Sequence, residues 1–183
     1  TLNFNYPGYP LNLVQKRNCT DNSAHLFTIV FKFYSPVTKY YYILNADYHE
    51  EDVFAIKFYC VKDKRSNYKY NKIVNKGDIG NIFITCAKVV PLLLQEYPNA
   101  SFGFCGARSV DSRLRKVEDY SNNQRFRIYK NIVSLKFGTK TFTHYEYKKI
   151  SSYLLINNNS DVKITEKRIK SMFVSTYNDL PDL

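Results

Sequence analysis

The sequence predicts an α+β domain with a mixed sheet: an antiparallel meander, a helix, a strand, a second helix and a closing hairpin, followed by a C-terminal helix. Two observations predict this class. Apolar residues alternate with period two in three early segments, and they recur every three or four residues in later ones. The chain has 183 residues, of which 44% are apolar, and this is enough for the core of one compact unit.

The composition changes twice along the chain and divides it into three parts. Residues 1–23 are rich in Pro, Gly and Asn and predict an irregular lead-in that lies over the surface. Residues 24–158 are expected to form a single α/β domain. Residues 159–183 predict a C-terminal amphipathic helix and tail, whose apolar side comprises Ile169, Met172, Phe173 and Tyr177. That side needs a surface on this domain or on a partner, so oligomerisation through the helix is one expectation.

The early alternation predicts three strands, over residues 26–34, 40–47 and 53–61. In the first strand one face is strongly apolar and comprises Phe27, Ile29, Phe31 and Phe33. Such a face is typical of a strand with one buried side. The short connections between the three segments favour an antiparallel meander.

The longest apolar-periodic segment predicts a helix over residues 78–97. Pro91 lies inside the pattern and predicts a kink, because proline removes a backbone hydrogen bond and crowds the preceding turn. The alternative is a helix that ends near Val89. Later segments predict a strand over 101–105, a helix over 122–137, and hairpin strands over 142–147 and 152–156.

A glycine-punctuated turn, Asn75-Lys76-Gly77-Asp78-Ile79-Gly80, leads into the first of these helices. The first amides of a helix have no partner within the helix and carry partial positive charge, so they attract anions. The turn therefore predicts an anion site that includes Gly77, Gly80 and Asn81.

The formal charge of +11, from 27 basic and 16 acidic residues, favours acidic partners such as nucleic acid or an acidic protein. Residues 108–136 hold eight basic and three acidic residues, which leaves +5. The basic residues of this segment are Arg108, Arg113, Arg115, Lys116, Arg125, Arg127, Lys130 and Lys136. Arginine forks suit phosphates, so Arg108, Arg125, Arg127 and Lys130 join the candidate anion-binding residues; the alternative is a solvated basic face.

The cysteines and histidines do not have the spacing of a metal site or of a redox-active pair. The four cysteines, Cys19, Cys60, Cys86 and Cys105, form no close pair, and His25, His49 and His144 lie far apart. We therefore expect reduced cysteines, no metal and no cofactor. We also expect no membrane association and a cytoplasmic location, since no run approaches about 20 apolar residues. The 17 tyrosines indicate either AT-rich coding or a stacking platform for bases, and we prefer the first explanation.

The order of elements across residues 26–156 resembles the acetyltransferase fold of the GNAT superfamily. Asn122 and Tyr129 have the seven-residue separation of that superfamily's Asn…Tyr helix pattern, with Ile128 at its aliphatic position. The resemblance implies that the turn at residues 77–82 binds the pyrophosphate of acetyl-CoA and that Tyr129 is the general acid. The turn departs from the superfamily's glycine spacing, and Asp78 places a carboxylate where a pyrophosphate would bind.

A second resemblance is to small bacterial proteins of unknown function with an Asn-x-Gly-Asp turn, a Tyr-Pro-x-Ala stop and an Arg-x-Arg-aliphatic-Tyr helix. These patterns lie here at residues 75–78, 97–100 and 125–129. We expect a non-catalytic binding module on a GNAT-like scaffold that engages a polyanion or a protein partner, in a setting such as bacterial defence or a toxin–antitoxin pair. The alternative is a divergent acyl-CoA-dependent N-acyltransferase in which Tyr129 protonates the leaving thiolate.

Overall fold

A computed structural model describes residues 5–72, 77–111 and 116–177. The strands are β1 (Asn12–Asn18), β2 (His25–Ser35), β3 (Tyr40–His49), β4 (Val53–Cys60), β5 (Ser101–Cys105), β6 (Val110–Asp111), β7 (Lys116–Val117), β8 (Phe142–Tyr147) and β9 (Ser152–Asn157). The α-helices are α1 (Ile79–Ala87), α2 (Val89–Glu96), α3 (Gln124–Lys136) and α4 (Val162–Thr176). Single 3₁₀ turns lie at Val61–Asp63 and Lys148–Ile150. The fold is α+β, as the sequence predicts.

A seven-stranded mixed sheet forms the centre of the molecule, in the order β1-β2-β3-β4-β5-β9-β8. Strands β2, β3 and β4 form the predicted antiparallel meander. Strands β4 and β5 are parallel and are joined by α1 and α2, because parallel neighbours need a long crossover. Their pairing runs from Val53 opposite Ser101 to Ile56 opposite Phe104, and β4 continues beyond it to Cys60.

Strand β1 corrects the expectation of an irregular lead-in. It pairs with β2 as an edge strand, with a bulge between Leu13 and Gln15. All seven of its residues are exposed. Strand prediction relies on one buried face, and a strand that is solvated on both faces leaves no alternation in the sequence.

The long helix is kinked, as Pro91 predicts. It divides into α1 and α2 at Lys88, next to Ala87, whose carbonyl group would accept a hydrogen bond from residue 91 if that residue were not proline. Contrary to the expectation from the sequence, Ile79–Glu96 is long and apolar enough to cross a membrane by length and composition alone, with a mean hydropathy of 1.3. In the fold 56% of this stretch is buried, as in the core helix of a folded domain.

Helices α1, α2 and α3 cover one face of the sheet, which we call the helix face. Its core is rich in aromatic residues and includes Phe33, Phe54, Phe58, Phe83, Phe102, Phe104, Phe126 and Tyr129. The opposite face, the open face, is covered only in part. There α4 packs its apolar side on Val53, Leu154 and Ile156 through Ile169 and Met172. The apolar side of the C-terminal helix thus finds its surface on the same domain.

Candidate functional site

The start of α1, predicted as an anion site, is already occupied by a carboxylate of the chain. Asp78 is 3% exposed. Its Oδ2 accepts hydrogen bonds from the hydroxyls of Ser35 (2.5 Å) and Tyr9 (2.8 Å), and its Oδ1 accepts one from Asn81 Nδ2 (3.0 Å). A carboxylate at a helix N-terminus is favourable because it faces the positive end of the helix dipole. Asp78 therefore has a structural role at this terminus.

The lead-in covers the same terminus from outside. The ring of Tyr6 lies so close to Gly80 that a Cβ atom there would collide with it. Gly8 N donates to Asn81 Oδ1 (3.2 Å), and Tyr9 N donates to Thr85 Oγ1 (2.8 Å). Of the predicted anion-binding residues in the turn, Gly80 is buried, Asn81 is half-buried and Gly77 is exposed. Asn75 and Lys76 lie outside the described residues.

The predicted basic residues do not converge on one site. The Arg125 side chain is buried, donates to the backbone oxygen of Lys72 (2.8 Å) and lies 5.4 Å above the ring of Phe58; burial lowers its pKa. The other three candidates each have a partner: Arg108 stacks on Tyr120 at 3.6 Å, Arg127 donates to Asn122 O at 2.5 Å, and Lys130 pairs with Glu146 at 2.8 Å. Arg113 and Arg115 lie outside the described residues.

Tyr129 lies in the core of the helix face. It is 4% exposed, and its ring centroid is 4.7 Å from that of Phe83 and 5.2 Å from that of Phe104. Burial raises its pKa well above the usual value. A proton donor needs access to its substrate, and these contacts make Tyr129 a packing residue of the core.

The open face carries a polar group of residues that the sequence did not reveal, which we call the Asp47 cluster: His25, Thr28, Asp47, His49 and Lys57. Asp47 is 2% exposed. Its carboxylate pairs with Lys57 Nζ (2.5 Å) and accepts from Thr28 Oγ1 (2.6 Å), and His25 Nε2 lies 3.0 Å from the same hydroxyl oxygen. The strands' register brings these residues together, since Thr28 lies opposite Asp47. The signal available in the sequence was the alternation of polar Asn45, Asp47 and His49 within β3.

His49 links this cluster to the end of α4. It is fully buried, its ring stacks on His25 with centroids 5.0 Å apart, and its Nδ1 lies 2.9 Å from the backbone oxygen of Asp47. Since a carbonyl only accepts, Nδ1 carries the proton, and Nε2 accepts from the Tyr177 hydroxyl (2.5 Å). Burial, together with the neighbouring His25, lowers the pKa of His49 to about 4.

A half-open cavity of about 230 Å³ lies beside the cluster, between α4 and strands β4, β5 and β9. Its floor is formed by Ala55 and Gly103, which are partners in the parallel register. Asp47, Lys57 and Tyr177 also line it. An apolar cavity with a few convergent polar groups is the usual form of a small-molecule site.

The uncovered part of the open face carries the tyrosine patch: Lys32, Tyr34, Tyr41, Tyr59 and Lys69. Tyr34 and Tyr41 are cross-strand partners, 43% and 49% exposed, with ring centroids 4.9 Å apart. Lys32 Nζ lies 4.1 Å from the centroid of Tyr41, and Lys69 Nζ lies 4.6 Å from that of Tyr59. The patch therefore combines the exposed rings of Tyr34 and Tyr41 with ammonium groups, and the ring of Tyr59 beside them is buried.

Metal ligands do not assemble in the described parts of the chain, where no group of three or more His, Cys, Asp or Glu residues is placed to hold an ion. The four cysteines are free. No protein-family model, no curated protein and no solved structure matches the chain.

Proposed function

We propose that the protein is a non-catalytic binding module that engages single-stranded nucleic acid through the tyrosine patch. The observation that carries this proposal is the exposed cross-strand pair of Tyr34 and Tyr41 with Lys32 above the second ring. Single strands bind where bases stack on aromatic rings and cationic groups follow the phosphates. The patch offers both on one uncovered sheet surface.

The charges around the patch favour a polyanion. Its five residues include two lysines and no acidic residue. Two carboxylates of the domain are neutralised by lysines, because Asp47 pairs with Lys57 at 2.5 Å and Asp63 pairs with Lys72 at 3.3 Å. The net charge of +11 acts in the same direction at longer range. Tyr59 is 8% exposed below Lys69, so the accessible stacking surface consists of Tyr34 on β2 and Tyr41 on β3.

A GNAT-like scaffold is part of the proposal. The meander, the kinked helical crossover between parallel β4 and β5, and the closing β8–β9 hairpin follow the element order on which that resemblance rests. The acyltransferase alternative depends on the turn at residues 77–82 and on Tyr129. The contact of Tyr6 with Gly80 and the burial of Tyr129 at 4% exposure weigh against it.

The test is fluorescence anisotropy with labelled 12-nucleotide oligo(dT), oligo(rU) and a duplex of the same length, at salt concentrations from 50 to 300 mM. We expect the single strands to bind more tightly than the duplex, with affinity that falls steeply with salt as counterions are released. Tyr34→Ala and Tyr41→Ala should each weaken single-strand binding by about 5- to 100-fold, which corresponds to the loss of one stacked base.

Tyr120→Ala is the matched control, because Tyr120 is an equally exposed tyrosine beside Arg108, in the basic segment predicted from the sequence. Its variant should bind as the wild type does. Unchanged affinity in both patch variants, or a loss only in Tyr120→Ala, would place the binding elsewhere. Calorimetry with acetyl-CoA should show no binding; micromolar binding that Gly80→Asp abolishes would instead favour the acyltransferase.

A further inference from the structure

We infer that the cavity between α4 and the sheet binds a small aromatic carboxylate. Its volume of about 230 Å³ sets the size of the ligand. A cavity of about 150 Å³ is enough for benzene, so this one accommodates a single ring with a short polar extension. It is separate from the tyrosine patch, none of whose five residues lines it.

The cavity results from two small residues at one place in the sheet. Ala55 of β4 and Gly103 of β5 lie side by side in the parallel register. Their small side chains leave a space above the sheet that larger side chains would fill. A Cβ atom on Gly103 would already lie 3.3 Å from Leu154 Cδ2 and 3.8 Å from the ring of Phe173. Leu154 and Phe173 therefore lie close over Gly103, and Ala55 beside it lines the cavity with only a methyl group.

The walls favour an aromatic ring. Three of the lining residues have aromatic rings on this face of the sheet: Tyr147, Phe173 and Tyr177. Aromatic rings pack well edge to face or offset, with centroids 4.5–7 Å apart in general. A flat ring is therefore a better complement to these walls than a flexible chain, which would also lose more conformational freedom on binding.

The charges at the cavity favour one negative group on the ligand. Two lysines, Lys57 and Lys170, line it, against one carboxylate, Asp47. Lys57 forms a close ion pair with Asp47 at 2.5 Å, and Lys170 forms a longer one, at 3.6 Å, with Glu166, whose Oε1 also accepts from the Tyr147 hydroxyl. An ammonium group has three donors, so Lys170 keeps donors for a ligand carboxylate.

The first experiment uses three probes of one shape on the full chain: 3-phenylpropionate, 3-phenylpropan-1-ol and 3-phenylpropylamine, titrated by calorimetry and by NMR chemical-shift changes. We expect saturable one-to-one binding of the acid, about tenfold weaker binding of the alcohol, and no binding of the amine. Equal binding of all three, or no saturable binding of the acid, would overturn the inference.

Two pairs of variants then locate the site. Lys170→Gln should weaken binding of the acid about tenfold and leave the alcohol unaffected, whereas Lys167→Gln, an exposed lysine on the same helix, should change neither. Ala55→Leu should abolish binding of both ligands by filling the floor, and Ala107→Leu, at a half-buried alanine outside the cavity, should not. If Lys170→Gln leaves the affinity for 3-phenylpropionate unchanged, the cavity is not the carboxylate site that we infer. This result holds even if Ala55→Leu lowers the stability of the protein.

Discussion

The two faces of the central sheet differ in what covers them and in what their polar residues do. On the helix face, Phe54 and Phe102 are fully buried under three helices. On the open face, Tyr34 and Tyr41 remain nearly half exposed, and a buried carboxylate, Asp47, is held by Lys57 and Thr28. Three of the residues selected from motifs in the sequence, Gly80, Arg125 and Tyr129, lie buried on the helix face.

This difference shows that a residue's position in a sequence motif does not tell whether its side chain can reach a ligand. A helix start with glycines and a seven-residue Asn–Tyr spacing also serve packing, because the same local geometry positions a buried carboxylate and a core ring. The accessible rings, the cavity and the histidine pair lie where only one helix covers the sheet. The following predictions test this contrast between the faces, from the largest effect to the smallest.

Tyr129→Ala should lower the free energy of unfolding by about 3–5 kcal/mol, because it removes a ring packed between Phe83 and Phe104. Tyr129→Phe keeps the ring and should stay within about 1 kcal/mol of the wild type. Urea denaturation measures both. A stable Tyr129→Ala protein would contradict the assignment of Tyr129 to the core.

Asp78→Ala should cost about 2–3 kcal/mol, because the hydroxyls of Ser35 and Tyr9 lose a charged acceptor in a buried place. Asp161→Ala is the matched control: Asp161 caps the exposed start of α4 by accepting from Ile164 N (3.2 Å), and its loss should cost about 1 kcal/mol. Thermal and urea unfolding compare the two. New binding of pyrophosphate by Asp78→Ala would revive the anion site at this turn.

Stability should fall between pH 7 and pH 5 because of His49. Its pKa in the folded protein is about 4, below the ordinary value of 6.5, so between these values the unfolded chain binds the proton and the folded one does not. The contribution is complete above pH 6.5 and is lost as the pH falls towards 4; the loss at pH 5 is about 2 kcal/mol. His49→Gln should flatten the dependence of the urea midpoint on pH. An equally steep dependence in that variant would assign the titration to another group.

Tyr34→Ala should have the smallest effect on folding, a loss of at most about 1 kcal/mol, because its cross-strand partner Tyr41 is also exposed. Its effect on nucleic-acid affinity should be far larger than its effect on the unfolding midpoint. A large loss of stability would show that the tyrosine pair belongs to the fold and would remove the basis of the binding proposal.

The sequence predicted the elements that have one strongly buried side. Strand β2 was predicted because Phe31 and Phe33 alternate with Lys32 and Tyr34, and β3 and β4 were predicted from similar alternation. The kink was predicted because proline has a fixed chemical effect on a helix, and Pro91 lies inside the pattern. Strand β1 was missed because both of its faces are solvated. The Asp47 cluster was missed because Thr28 and Asp47 become neighbours only through strand register.

The candidate site was predicted less well than the fold. The glycine turn correctly predicted where a helix begins. The N-terminus of that helix is covered by Tyr6 and Tyr9, which lie about 70 residues earlier in the chain. Likewise the basic segment holds Arg125, whose guanidinium turns inward to the backbone oxygen of Lys72. Local spacing carries no information about such distant contacts.

The sequence by itself determined the α+β class, the meander, the kinked crossover and the excess of positive charge, since each follows from periodicity, proline chemistry or composition. Only the tertiary structure decided which side chains reach solvent. It buried Tyr129 at 4% exposure and left Tyr41 at 49%. The physical reason is that burial depends on which helices cover each face of the sheet, and this is set by packing between residues far apart in the chain.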